Sequence, residues 1–289
     1  MKSKTILITG STDGIGRETA KALAKQGHIV IIHGRNKAKA EKVCEAIRSE
    51  TGNNNIDYII ADLLLLSDVR RMAEDFTKKY SSLDVLINNA GAFFNKVRET
   101  TEEGFEKTIT LNLFAPFLLT QLLLNVLEKS DSARIINLSS AMHRRGGKPD
   151  LNDFQLENSY RPDRAYGLSK LYLIWITRHL SKLLTDRGIT NITVNASHPG
   201  AVATNFGQDA DKGFLINLVF KIALLFMDKP EKGAITSIYL ATSPEAEHIT
   251  GKFFNNRAKE EKPDDRYYSE ENEKAVWDYC MKATFSDNQ

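Results

Sequence analysis

The 289-residue sequence predicts an α/β fold, a doubly wound parallel sheet of about seven strands in a single domain. Three observations predict it. Short β-branched runs alternate with longer charged stretches of helical period. The first strand-like runs are continuously apolar rather than alternating, which marks strands covered on both faces. No repeat, low-complexity tract or interdomain linker interrupts the pattern.

The elements follow in order. "TILIT" (Thr5–Thr9) reads as the first strand, and Ile15–Gln26 as a helix stopped by Gly27. "HIVIIH" is the second strand, and Asn36–Thr51 is a helix ended by Gly52. "IDYIIA" is the third strand, with Ser67 as N-cap of a helix over Asp68–Tyr80. "LDVLIN" is the fourth, followed by a long apolar helix over about Glu102–Leu127. "ARIINLS" is the fifth, then a helix over Ala165–Asp186 stopped by Gly188. "TNITVNA" and "GKFFN" supply strands six and seven. Val276, Trp277, Cys280 and Met281 share one helical face, so a docked C-terminal helix is expected over about 269–283.

Composition narrows the function. Hydrophobic residues make up 42%, enough for a sizeable core, and a net charge of +2 gives no basic face for nucleic acid. Cys44 and Cys280 lie far apart and outside any metal-ligand spacing, which suits a reduced, cytoplasmic protein. The six histidines are equally scattered and read as structural or solvent-facing; no metal is expected. Met1–Lys4 leads straight into a strand-like run without signal-peptide architecture. Ile109–Leu127 and Phe214–Met227 are apolar, but polar interruptions in both, and the shortness of the second, argue against an integral membrane span.

"ITGSTDGIG" (Ile8–Gly16) puts three glycines at the junction of the first strand and helix. A helix N-terminus offers unpaired N–H groups and a partial positive charge, so a pyrophosphate is a natural guest. Gly10, Gly14 and Gly16 would give the turn, the close approach and the tight helix packing. A strand-to-helix turn without a ligand is the plainer alternative. Other strand ends carry small or polar residues too: "NNAG" (Asn88–Gly91), Ser139-Ser140, "YGLSK" (Tyr166–Lys170) and "HPG" (His198–Gly200).

Taken together, Thr9-Gly10-x-x-x-Gly14-x-Gly16, Asn88-Asn89-Ala90-Gly91, Asn112, Ser140, Tyr166-x-x-x-Lys170 and Pro199-Gly200 resemble the short-chain dehydrogenase/reductase family. The resemblance runs over about residues 4–256. The long stretch between Ser140 and Tyr166, with its "HRRGG…DLND", is similar to the retinol-dehydrogenase-like branch. The resemblance implies a Rossmann-type fold, a nicotinamide cofactor and a catalytic set of Asn112, Ser140, Tyr166 and Lys170. Tyr166 and Lys170, a helical turn apart, would trade a proton with the substrate oxygen. A neighbouring ammonium and the positive ring of an oxidised nicotinamide favour the phenolate over the free phenol, which titrates near pKa ~10. Ser140 would hydrogen-bond the carbonyl oxygen, with Ser139 the competing serine. Asn112 would hold a water linking Lys170 to solvent, or else is a helix-kink amide satisfied by backbone.

The cofactor contacts expected are Gly10, Ser11, Asp13, Gly14, Ile15 and Gly16 at the first turn, and Arg35 and Asn36 after the second strand. Asp62 and Leu63 would meet the adenine. Asn88, Ala90 and Gly91 would line the ribose side. Pro199, Gly200, Val202 and Thr204, with Tyr166 and Lys170, would face the nicotinamide. Strand two ends in His33-Gly34-Arg35-Asn36, without the acid that binds a ribose 2′-hydroxyl. Arg35 can pair with a 2′-phosphate, so NADP is favoured over NAD. Asp13 runs against this, because many NADP-preferring relatives carry a basic residue there. His143, Arg144, Arg145 and Lys148 read as a solvated loop, or as a rim of the substrate pocket.

The function expected is an NADP-dependent oxidoreductase, a carbonyl reductase or alcohol dehydrogenase acting on a lipophilic small molecule. Alternatives are an epimerase on the same scaffold or a non-catalytic NADP-sensing regulator. Residues of about 205–228, with their apolar helix, would form a substrate lid or lie on a membrane surface. The long helices over Ile109–Leu127 and Ala165–Asp186 are apolar around most of their circumference, so a homodimer or homotetramer is expected through them.

Overall fold

The computed structural model describes residues 2–202 and 228–286. Thr204 and nearly all of the expected lid lie outside the described residues.

Seven parallel strands form one sheet in the order β3-β2-β1-β4-β5-β6-β7. They are β1 Thr5–Ile8, β2 Ile29–Gly34, β3 Ile56–Ile60, β4 Val85–Asn88, β5 Ala133–Leu138, β6 Ile192–Ser197 and β7 Phe253–Phe254. The order reverses at β1, which pairs with β2 on one side and β4 on the other. At such a switch point a crevice opens beyond the carboxyl ends of the strands.

Helices cover both faces. On one lie α1 (Gly14–Lys25), α2 (Lys37–Thr51) and α7 (Pro230–Thr242). Their apolar stripes meet Ile6, Ile8, Val30, Ile32 and Ile87 of the sheet. On the other lie α3 (Leu66–Lys79), α5 (Ala115–Leu127) and α6 (Pro162–Asp186). The core there includes Leu7, Ile31, Leu86, Ile135 and Val194. α7 is the helix that periodicity missed.

Two helix starts differ from the sequence reading. Ser67 is not the cap of α3: the helix begins at Leu66, and the N–H groups of Leu66 and Ser67 donate to the distant Glu103 carboxylate at 2.8 and 3.0 Å. The long apolar helix begins at Lys107, not Glu102, and has three parts. A short α4 (Lys107–Ile109) runs into a π-turn (Thr110–Phe114) and then α5. The buried Glu106 carboxylate caps it by accepting from Thr108 and Ile109 N–H. This 21-residue run is long and apolar enough to cross a membrane, but most of its most apolar stretch is buried within the fold.

The C-terminal helix α8 (Glu270–Phe285), capped by Ser269, packs on α5 and α6. Trp277 sets its ring edge-to-face on Phe117 at 4.9 Å and lies 4.7 Å from His179. Tyr279 stacks on Phe154 at 4.2 Å. Glu273, 1% exposed, sits between His179 and Lys182. Leu171 through Ile176 of α6 are all buried within the single chain. The apolar circumference of α6 that suggested pairing is thus covered within the chain by the sheet, by α4 and the π-turn, and by α8.

Candidate active site

The first turn holds the expected cradle. Gly10 has φ +62°, in the left-handed region, and a Cβ there would lie 2.9 Å from the Ala90 Cα. A Cβ on Gly16 would lie 2.5 Å from both Gly10 O and Asn89 Nδ2. No side chain fits at either position. Asp13 caps α1 at Gly14 N–H (2.8 Å), and the next donors, Ile15 and Gly16 N–H, belong to a first turn that no helix carbonyl reaches. A bare, donor-lined cradle at a helix N-terminus fits a pyrophosphate.

Neighbouring strand ends brace it. Thr9 Oγ1 accepts from Asn89 and Ala90 N–H, and Asn89 Nδ2 donates to Thr9 O and Gly10 O. Ser11 is buried, and its hydroxyl donates to Ile8 O. Ile15 packs toward α7: a Cβ on Gly233 would meet both Ile15 and Val202. Arg35 and Asn36 are exposed at the end of β2, where Asn36 caps α2 through Lys39 N–H. Lys39 Nζ sits 2.8 Å from Asp13 Oδ2. Sequence reasoning missed Lys39 because its nearness to Asp13 depends on how α2 packs. After β3, Asp62 Oδ1 accepts from Leu64 N–H, and Leu63 is buried. Asn88 departs from its expected place. It is buried, and its amide donates to Thr120 and Asn137 at 3.0 and 2.8 Å, a strut between β4, β5 and α5.

Ser140, Tyr166, Lys170, Asn112 and Gly91 come together at the ends of β4 and β5. The Ser140 hydroxyl acts on the Tyr166 phenol and favours its ionised form. Ser139 faces away, donating to Lys170 O at 2.8 Å. The choice between the two serines therefore falls on Ser140. Lys170 Nζ donates to Leu138 O at 2.9 Å and lies 5.8 Å from the Tyr166 ring centroid. A Cβ on Gly91 would lie 2.9 Å from Asn112 Oδ1 and 3.1 Å from Lys170 Nζ, so glycine lets these three groups converge.

Asn112 lies within the π-turn, an irregularity common at functional sites. Its Oδ1 accepts from Ala92 N–H, and its Nδ2 donates to Ala92 O and Ser169 Oγ, all within 3.2 Å. The amide is engaged by protein.

Burial sets the electrostatics. It pushes the Tyr166 phenol up to about 12, the Ser140 hydroxyl opposing it. It lowers Lys170 to about 7. In the chain by itself the phenol is therefore held neutral.

The turn after Ser140 is fixed from behind. His143 Nε2 accepts from Asp264 N–H at 3.0 Å, so Nδ1 carries the proton and donates to Ser140 O at 2.7 Å. His143 is structural, and Arg144 pairs with Glu261. Beyond β6, Gly200 has φ +80° and lies on Asn256, and Pro199 precedes it.

These features define a dinucleotide-dependent oxidoreductase with a tyrosine–lysine–serine centre. The family model for short chain dehydrogenase matches residues 4–213, and the chain belongs to that family. Within it the chain falls in the retinol-dehydrogenase-like branch. It is 37% identical to human polyprenol dehydrogenase over 97% of this chain and 85% of that protein. It is 38% identical to human retinol dehydrogenase 14 over 90% of this chain and 80% of that protein. Among solved structures, a short chain dehydrogenase from Escherichia coli CFT073 complexed with NADPH is 26% identical, with a TM-score of 0.65 over 88% of this chain and 96% of that one. The protein is an NAD(P)-dependent oxidoreductase.

Proposed function

We propose that the protein reduces a lipophilic aldehyde or ketone with NADPH, and oxidises the corresponding alcohol in reverse. The Ser140–Tyr166 pair, with Lys170 5.8 Å from the tyrosine ring centroid, carries this reading. NADPH, when bound, supplies the hydride. The Tyr166 phenol, neutral at physiological pH, gives its proton to the carbonyl oxygen. The Ser140 hydroxyl bonds the same oxygen and stabilises charge as it develops. Lys170 adds positive character beside the ring and is oriented by Leu138 O. Asn112 fixes Ala92 and so holds the loop after β4 against Lys170.

A neutral phenol suits reduction, where the site must donate a proton. NADP preference rests on Arg35 and Lys39, two cations where an NAD enzyme places an acid. A lipophilic substrate is supported by Phe93, whose ring lies 5.7 Å from that of Tyr166, and by relatives named for retinol and polyprenol. A cofactor sensor would have no need of the Ser140–Tyr166 pair. The two cysteines, both free and buried, support a reducing, cytoplasmic setting. NADPH oxidation against aldehydes and ketones of increasing apolar length, retinal and polyprenals among them, tests the reading. Turnover confined to small hydrophilic carbonyls would overturn the substrate class.

A further inference from the structure

His33 ends in the interior of the strand-end cluster, 4% exposed, and both of its ring nitrogens are spent on backbone. Nδ1 accepts from Gly10 N–H at 3.0 Å. The proton therefore sits on Nε2, which donates to Ala61 O at 3.1 Å. The backbone of His33 is used as well: its N–H donates to Ser11 Oγ and its carbonyl accepts from Ser11 N–H, both at 2.9 Å. One residue thus ties the glycine turn after β1 to the loop that follows β3.

Gly10 is held from both sides. Its N–H is taken by His33 of β2, and its carbonyl by Asn89 after β4. A left-handed glycine has many accessible conformations in a free loop, so two side-chain clamps on one peptide unit restrict it strongly. Next door, a Cβ on Gly34 would lie 2.6 Å from Thr12 Cγ2, so β2 and the turn are in backbone-close contact. The turn carries the pyrophosphate donors, and Ala61 directly precedes Asp62, which faces the adenosine end.

We propose that His33 is a positioning residue for the dinucleotide, a neutral imidazole bridge that sets the spacing between the phosphate cradle and the adenosine loop. It touches no cofactor atom; it acts through Gly10 and Ala61. This rests on the reading that the strand ends bind NADP(H). The bridge works in one protonation state only. A second ring proton on Nδ1 would face the Gly10 N–H, donor against donor. Burial lowers His33 to about 4, with Asp62 the charged group acting on the ring in the opposite sense. Arg35, two residues along, is exposed. Because His33 titrates at about 4 in the fold, the bridge stays complete at pH 6.5 and is lost only as pH falls toward and through about 4.

The test measures NADPH affinity by titration calorimetry on wild type, His33→Ala and His33→Asn, with thermal melts as a control for folding. His33→Ala should weaken binding about tenfold or more, the worth of one or two buried hydrogen bonds. His33→Asn, whose amide oxygen can still accept from Gly10, should recover part of the loss. KM for NADPH should rise more than kcat falls. The acid limb of wild-type affinity, as pH falls toward about 4, should flatten in His33→Asn. Equal affinity in wild type and a folded His33→Ala overturns the bridge while leaving the cofactor reading intact. Should His33→Ala not fold, an unchanged acid limb in His33→Asn overturns it instead. A wild type that binds neither NADPH nor NADH defeats the cofactor reading and this proposal together.

Discussion

Gly146 and Gly167 lie backbone against backbone. A Cβ on Gly167 would sit 2.5 Å from Gly146 N, and one on Gly146 would sit 2.6 Å from Leu168 N. Gly146 ends the turn that begins at Ser140, and Gly167 follows Tyr166, so this contact sets how closely serine and tyrosine approach. Gly167→Ala should overpack the seam, costing about 1–3 kcal/mol of stability and pushing Ser140 from Tyr166. The expected result is a large fall in kcat with NADPH affinity near wild type. A variant with normal kcat would show that the seam does not set the catalytic pair.

Tyr166→Phe should lose about 10²–10⁴-fold in turnover, the range of a general acid. NADPH should still bind, because the glycine cradle is untouched. Steady-state kinetics and a binding titration on the same preparation separate the two effects.

Arg35→Ala and Lys39→Ala should each lower the ratio of kcat/KM for NADPH over NADH. A charge-assisted contact to phosphate is worth roughly 1.5–3 kcal/mol, so about tenfold is expected from Arg35. Lys39, which already pairs with Asp13, should matter less. A wild type that prefers NADH would defeat the argument from β2.

The pH profiles of the two directions should differ. Burial holds the Tyr166 phenol protonated up to about 12, so reduction should stay level through neutrality. Oxidation needs that phenol as a base and should climb with pH. Lys170 gives a second check. Its folded value, about 7, lies below its ordinary 10.5, so the unfolded chain binds the extra proton between the two. Stability without cofactor should therefore gain from Lys170 as pH rises from about 7 to 10.5. Melts of wild type and Lys170→Met across that window would show it, the variant lacking this contribution.

Trp277→Ala should destabilise by about 3–5 kcal/mol, as truncating a buried aromatic does. It should also bare the Phe117 face of α5 and promote association. Urea titration and light scattering follow the two consequences. If wild type pairs through α5 and α6 without moving α8, the cover described for that face is wrong.

Local signals made much of the molecule legible. Continuous apolar strands and the glycine turn located β1 through β6 and the cradle, because both depend on neighbours in sequence. Tyr166 and Lys170 were visible for the same reason, one helical turn apart. What escaped was set by partners far along the chain. Glu103 reaches back to cap α3, which no reading of Ser67 could reveal. Asn88 looks like a cofactor contact until β5 supplies Asn137 beneath it. Isolated His33 and His143 gave no pattern, since each bridges backbone groups on separate loops. The phenol of Tyr166 was expected to be depressed by Lys170 together with an oxidised nicotinamide; what spacing cannot report is the burial that pushes it up in the chain by itself.

Because α8 forms the outer wall of α6, the helix bearing Tyr166 cannot be fully covered until residues 270–285 have left the ribosome. During synthesis Leu171 through Ile176 have a complete sheet beneath them and water above. The nascent chain therefore keeps part of this helix exposed until synthesis is nearly finished, so chaperones would be most needed there, and a premature stop anywhere before Trp277 should yield a sticky product rather than a smaller enzyme.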